Sequence, residues 1–276
     1  MAISRVDSEN IFIATDNYFL EAYDFRNGSP LVVLFDASGD PPKNMDGFQP
    51  GWGTRFFRKR ELSHIAIKYK ASDWYRRPDL SEAFTNLRET GFLGRFDRII
   101  TYGGSMGGYA ALAYAGELGA DTVLALNPQS TLNEALAPWD DRYPDARSVS
   151  WEGPETDAAN GCAQARQVYV VVDRLFAPDW LHVARLPEHN LKILNVPYVQ
   201  HMMGLHLAGM GILGKLVTDI VQKNSLDMTA FHYSARKRRK LKKYYNVMRS
   251  LPRVKNSRVF SDIVDHHARL NLPDAK

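Results

Sequence analysis

The chain has 276 residues, 45% hydrophobic and 24% charged, the balance of one large folded domain or one domain with an appendage. This excludes a disordered chain, a collagen-like fibre and a disulfide scaffold, and the single cysteine, Cys162, cannot close an internal disulfide. The net charge of +4 joins two opposed parts: residues 223–258 hold twelve Lys or Arg and one Asp (+11), and the remainder holds 23 basic and 30 acidic residues (−7).

Residues 1–10 carry Asp7 and Glu9 and no long apolar run, so they do not read as a secretory signal. Residues 11–15 and 18–25 read as two early strands, followed by turn chemistry at Arg26-Asn27-Gly28-Ser29. Residues 31–35 form a continuous β-rich run, the pattern of a strand buried on both faces. Five more short runs follow, at 64–69, 98–102, 122–127, 167–172 and 191–196. Helices are predicted between them at 80–89 with Asp79 as N-cap, at 106–118 and at 180–186. Residues 138–165, rich in Asp, Pro, Gly and Ala, read as a lid or binding insert. The apolar stretch 202–221 is interrupted by three glycines and by His206, Lys215 and Asp219, which predicts a buried helix and not a membrane span. The alternation implies an α/β fold with a mainly parallel, doubly wound sheet over residues 1–222, and a basic, mostly helical extension over 223–276.

The strongest chemical signal is Tyr102-Gly-Gly-Ser-Met-Gly-Gly-Tyr109, where an apolar strand runs into Gly103-Gly104-Ser105-Met106-Gly107 and a helix-forming run follows. A serine on a sharp strand-to-helix turn takes a strained conformation and needs neighbours with almost no side chain. The turn presents its hydroxyl and points the next backbone N–H, that of Met106, at a developing oxyanion. The competing reading is a glycine-rich turn that cradles a phosphate. A nucleophilic serine needs a base, and the base an orienting acid. Asp173, at the tip of the 167–172 strand, is the first choice of acid, with Asp179 in reserve as a helix cap. His201, just past the 191–196 strand, is the first choice of base, with His206 as a rival inside the helical stretch.

This order of strand, Gly-x-Ser-x-Gly and helix, then strand and Asp, then strand and His, resembles the α/β-hydrolase superfamily over about residues 11–222. Tyr102–Ala111 and Leu126-Asn-Pro-Gln129 also resemble a group of bacterial serine hydrolase-like proteins associated with surface polysaccharide. The resemblance implies a serine esterase or thioesterase, or an acyltransferase with a saccharide or other alcohol acceptor. A non-catalytic binding protein on the same fold is the remaining class. The resemblance also implies a second oxyanion donor after the 31–35 strand, where Phe35-Asp36-Ala37-Ser38-Gly39 offers the N–H of Ala37 or Ser38 beside an acid, Asp36.

The five tryptophans all follow the C-terminal ends of predicted strands, where ligands bind in open parallel sheets. Trp52, Trp74, Trp139 and Trp180 are therefore predicted to line an aromatic mouth for an acyl or sugar substrate, the competing role being a small cap core. No cofactor or metal is expected. The run Arg236-Lys-Arg-Arg-Lys240 suits anionic partners, or the acidic body of its own chain or of a second copy. With no disulfide and no leader pattern, the expectation is a cytoplasmic protein.

Overall fold

A computed structural model describes residues 2–7, 10–39 and 50–272, with the backbone alone for residues 2–7. Nine strands form one sheet: β1 (Ala2–Asp7), β2 (Asn10–Ala14), β3 (Tyr18–Tyr23), β4 (Leu31–Phe35), β5 (His64–Tyr69), β6 (Ile99–Gly104), β7 (Thr122–Leu126), β8 (Gln167–Val172) and β9 (Leu191–Asn195). Their order is β1-β2-β3-β5-β4-β6-β7-β8-β9. β1, β2, β3 and β5 pair antiparallel in turn, and β5, β4, β6 and β7 pair parallel. Every residue of β4, β5, β7 and β8 is buried, which is why these strands read as mainly apolar runs. β1 was not legible in the sequence. Its six residues hold two charges, and backbone pairing from Ala2 opposite Ala14 to Asp7 opposite Asn10 makes it a strand.

Short helices α1 (Thr54–Arg58) after β4 and α5 (Ala158–Gly161) in the insert join the other connecting helices, which correct three expectations. Asp79 is the first residue of α2 (Asp79–Glu89) in place of its cap, and its carboxylate accepts the backbone and side-chain N–H of Asn17 at 2.8 and 3.1 Å. The helix over 106–118 is two, α3 (Met106–Ala113) and α4 (Ala115–Leu118). They divide at Tyr114, whose hydroxyl donates to the Tyr75 carbonyl. The stretch 202–221 is also two helices, α7 (Met203–Gly209) and α8 (Leu213–Lys223), bent by 96° where Gly211 takes φ 69°. Among the described residues, no single helix is long and apolar enough to cross a membrane.

The chain divides into two compact units, Met1–Val170 with Leu181–Lys192, and Val171–Trp180 with Ile193–Lys276. In the first unit Phe35 packs among Tyr75, Phe84 and Tyr114, with ring centroids 5.3, 6.4 and 6.1 Å away. A buried ion pair, Lys68 Nζ to Glu21 Oε1 at 2.9 Å, crosses from β5 to β3. In the second unit α9 (Met228–Ala235), α10 (Lys242–Ser250), α11 (Pro252–Lys255) and α12 (Arg258–Asn271) follow α8. Tyr244, Tyr245, Val254, Val264 and Ala268 form a small core there.

Candidate functional site

Ser105 stands between β6 and α3 with φ 52° and ψ −122°, a conformation that a residue with a side chain adopts only at an energetic cost. The glycines around it are required by close approach. A Cβ on Gly103 would lie 2.1 Å from the Gly107 carbonyl oxygen, and one on Gly107 would lie 2.2 Å from that of Phe35. The turn is held by Ser105 N–H donating to the Leu126 carbonyl at 2.9 Å and Tyr109 N–H donating to the Ser105 carbonyl at 2.9 Å. Ser105 itself is half-buried. Met106 opens α3, where backbone N–H groups have no carbonyl a turn earlier to bind.

The contact of Gly107 with Phe35 and Asp36 sets the start of α3 against the loop after β4. That loop is braced from β5 and the segment after it. Tyr69 Oη donates to the Ala37 carbonyl at 3.0 Å, and the Ser38 and Ser72 hydroxyls bond at 3.1 Å. Ser72 Oγ also lies 3.6 Å from Met106 Sδ, so Ser38 and Met106 share a neighbour. Ala37 and Ser38 are exposed. The Asp36 carboxylate turns aside to accept the Trp52 N–H at 3.1 Å, and burial pushes its pKa up to about 6 despite that bond and the charge of Lys68.

In the second unit His201 Nδ1 lies 2.9 Å from both carboxylate oxygens of Asp179, which is fully buried, while the imidazole is 23% exposed. A carboxylate on Nδ1 fixes the tautomer that leaves Nε2 basic. Asp179 sits in the first turn of α6 (Ala177–Val183). The structure thus pairs His201 with the reserve acid and not with Asp173, which was the first choice. Asp173 takes three backbone N–H groups, from Leu175 at 3.0 Å and from Val199 and Gln200 at 2.9 Å each. It pins the loop that presents His201, a loop with positive φ at Tyr198 (63°) and Gln200 (49°). His206 is buried in α7, its Nδ1 on the Met202 carbonyl at 2.9 Å.

The tryptophans separate. Trp52 is 41% exposed and its ring lies 4.9 Å from that of Tyr102, at the end of the sheet that carries Ser105. Trp74 departs from the expected substrate role: it is 2% exposed and packs on Tyr109, Tyr143 and Trp151, so it forms a cap core. Trp139 is half-buried against His182, and Trp180 is half-buried with the Arg174 guanidinium 4.4 Å over its ring.

Two arrangements escaped the sequence reading. Arg76 reaches the insert, donating to the Ser150 and Glu152 carbonyls and to Tyr109 Oη on α3. A second serine, histidine and aspartate also meet: Ser130 Oγ lies 3.0 Å from His182 Nδ1, and His182 Nε2 lies 2.9 Å from Asp140 Oδ2. Arg185 donates to Ser130 Oγ at 2.7 Å, so the hydroxyl proton goes to Nδ1 and Nε2–H goes to Asp140. All three residues are at most 1% exposed, so no substrate reaches them, and the set pins the insert. Among the described residues no group of three or more His, Cys, Asp and Glu is placed to hold a metal ion.

The strand order, with a serine elbow after β6 and a histidine after β9, is that of the α/β-hydrolase fold. No protein-family description matches the chain, and no curated protein matches it. Solved structures do. The capsule O-acetyltransferase of Neisseria meningitidis serogroup A, in a mutant form in complex with CoA, superposes with a TM-score of 0.51 at 9% identity, covering 77% of this chain and 95% of that one. The same enzyme in complex with caged gadolinium gives 0.50 at 9%, covering 77% and 94%. A carboxylesterase structure from the thaumarchaeon Nitrososphaera gargenis gives 0.48 at 18%, covering 78% and 100%.

Proposed function

We propose that the chain is an acyl-transfer enzyme acting on esters or thioesters through Ser105, His201 and Asp179. The observation that carries this reading is the strained backbone of Ser105 on a strand-to-helix turn built from obligatory glycines. Nothing in ordinary packing asks a serine for that conformation. Support also comes from the Asp179 carboxylate held 2.9 Å from Nδ1 of a partly exposed His201.

In this reading Ser105 Oγ attacks the acyl carbonyl carbon and its proton passes to His201 Nε2. The tetrahedral oxyanion is held by the N–H groups of Met106 and of Ala37 or Ser38. The bond to the leaving oxygen or sulfur breaks as Nε2 returns the proton to it. Water, or an alcohol, then attacks the acyl-enzyme, gives its proton to Nε2, and restores Ser105. Asp173 positions the His201 loop and takes no part in proton transfer.

Water as the acceptor makes the enzyme an esterase or thioesterase. Transfer to a saccharide hydroxyl is the second reading, favoured by the exposed face of Trp52 on Tyr102, since a flat apolar ring with a polar edge suits a sugar. One solved structure of similar fold is a capsule O-acetyltransferase in complex with CoA. A fluorophosphonate probe tests the core of the proposal. Labelling that disappears in Ser105→Ala is expected, and well-folded wild type that takes no label would place the chain with the non-catalytic binding proteins. Unlabelled enzyme given acyl esters with and without a glycan acceptor then separates hydrolysis from transfer.

A further inference from the structure

The helices from α9 to α12 bring together two features that the acyl-transfer chemistry leaves unused. The first is charge. Residues 228–271 hold twelve Lys or Arg against two Asp, a balance of +10. In the run Arg236–Lys240, Arg238 folds inward, its guanidinium 5.6 Å over the Tyr244 ring and its Nη1 donating to the Ala235 carbonyl at 3.1 Å. Arg236, Lys237, Arg239 and Lys240 face solvent, and among the described residues none of the four has a carboxylate partner. The two aspartates are already engaged, Asp265 by Arg249 at 2.8 Å and Asp262 by Arg258 at 3.9 Å.

The second feature is an aliphatic stripe. α12 turns Val264 and Ala268 onto the small core of the unit. Its outer side carries Val259, Ile263 and Leu270, which are 67%, 46% and 68% exposed. At 100° per residue these three lie within about 40° of one another around the helix axis, so they make one line and not a scatter. A pocket of about 450 Å³ joins the two features: Arg239 and Ile263 share its lining with His267 and Asn271, over Tyr244 and Tyr245. A cation and an aliphatic side chain at one opening suit a ligand with an anionic head and an apolar continuation.

We infer that this helical segment docks peripherally on an anionic lipid surface, with Val259, Ile263 and Leu270 entering the headgroup–acyl boundary and the Arg236–Lys240 run lying against lipid phosphates. Neither feature suffices separately. A basic run without apolar contact binds any polyanion, and three aliphatic side chains without charge hold a bilayer weakly. Two copies of this face would bring the four solvent-facing cations of one Arg236–Lys240 run against those of the other, which opposes self-pairing through it. A nucleic acid would satisfy the cations and leave the aliphatic line in water, gaining nothing from it.

The test is sedimentation of the full chain with vesicles of phosphatidylcholine alone and with about 30% phosphatidylglycerol added. At least about tenfold tighter partition to the anionic vesicles is expected, falling off in about 0.5 M NaCl as screening shortens the reach of each charge. Val259→Ser with Leu270→Ser, which keeps every charge and alters only exposed positions, should weaken partition at least about fivefold. Arg239→Gln with Lys240→Gln should weaken it comparably. Equal partition to both vesicles would overturn the inference. So would anionic binding that ignores the Val259 and Leu270 changes, or a single-stranded oligonucleotide that strips the chain from vesicles at equal phosphate. A stable dimer in vesicle-free solution that those two serines dissolve would assign the stripe to a second copy instead.

Discussion

At the scale of single residues, the distinction between Asp179 and Asp173 is the sharpest. Asp179 holds the imidazole directly, and Asp173 holds only the backbone that carries it. Asp179→Asn should therefore lower kcat by about 10²–10⁴ with KM little changed, since the amide no longer stabilises the imidazolium. Asp173→Asn keeps an oxygen that accepts N–H groups. It should cost stability first, with a smaller loss of kcat, and thermal melts beside kinetics on both variants check this. Asp36 gives a second prediction. Its carboxyl is raised to about 6 in the fold, above the usual value near 4, so the folded chain binds the proton more tightly. Stability from this group is greatest at low pH and falls as pH rises between those two values. Asp36→Asn should then raise stability by about 1 kcal/mol at pH 8, after allowance for partial exposure, and make no difference near pH 4. A melting series across that range would show the gap open or fail to open.

At the scale of elements, the insert is held by buried polar contacts as well as by the cap core of Trp74, Tyr143 and Trp151. Burial would push the Asp140 carboxyl up, but the hydrogen bonds from Arg142 and His182 and the charge of Arg142 outweigh it and hold it well below the usual carboxylate range. A depressed carboxylate contributes stability that is present above its unfolded value and is lost as pH falls below it. Asp140→Asn should destabilise the chain by about 2 kcal/mol at pH 7, and the difference should shrink as pH drops below about 4. Urea denaturation at pH 7 and at pH 3.5 measures both. The elbow was legible in the sequence because its requirements are local: Gly103 and Gly107 are demanded by atoms within a few residues or on the neighbouring strand. The choice of acid was not. It depends on the course of 196–201, where Tyr198 and Gln200 take positive φ without being glycine, and side chains of those types announce no such turn. The Ser130–His182–Asp140 set was hidden for a related reason, since its members lie up to 52 residues apart and join two loops to α6.

At the scale of the whole chain, the sheet was readable in outline because β4, β5, β7 and β8 are buried throughout and so are mainly apolar, with His64, Lys68, Thr122 and Gln167 as buried exceptions. The edge strand β1 and the bend between α7 and α8 were not, since neither is set by hydrophobic pattern. The tryptophans show the same limit. Position along the chain placed all five after strand ends, while packing sent Trp74 inside and left Trp52 out. Charge asymmetry gives a further prediction. Gln at Arg236, Lys237, Arg239 and Lys240 takes the formal charge from +4 to 0. Because these four cations are gathered on one run, elution from a cation exchanger should move to markedly lower salt, more than for four Lys→Gln changes scattered elsewhere. Equal shifts for clustered and scattered sets would remove the idea of a local patch.

The two units are interleaved along the chain, which crosses between them after Val170, Trp180 and Lys192. During synthesis, residues 171–180 therefore emerge before the partners that complete their unit. At 5–20 residues per second the 22 positions from 180 to 201 take roughly 1–4 s to appear. In that interval Asp179 exists without His201, and Asp173 without the amides of Val199 and Gln200. Until β9 emerges, the fully buried strand β8 also has an open edge, and such an unpaired apolar edge is the surface that a chaperone at the ribosome exit shields.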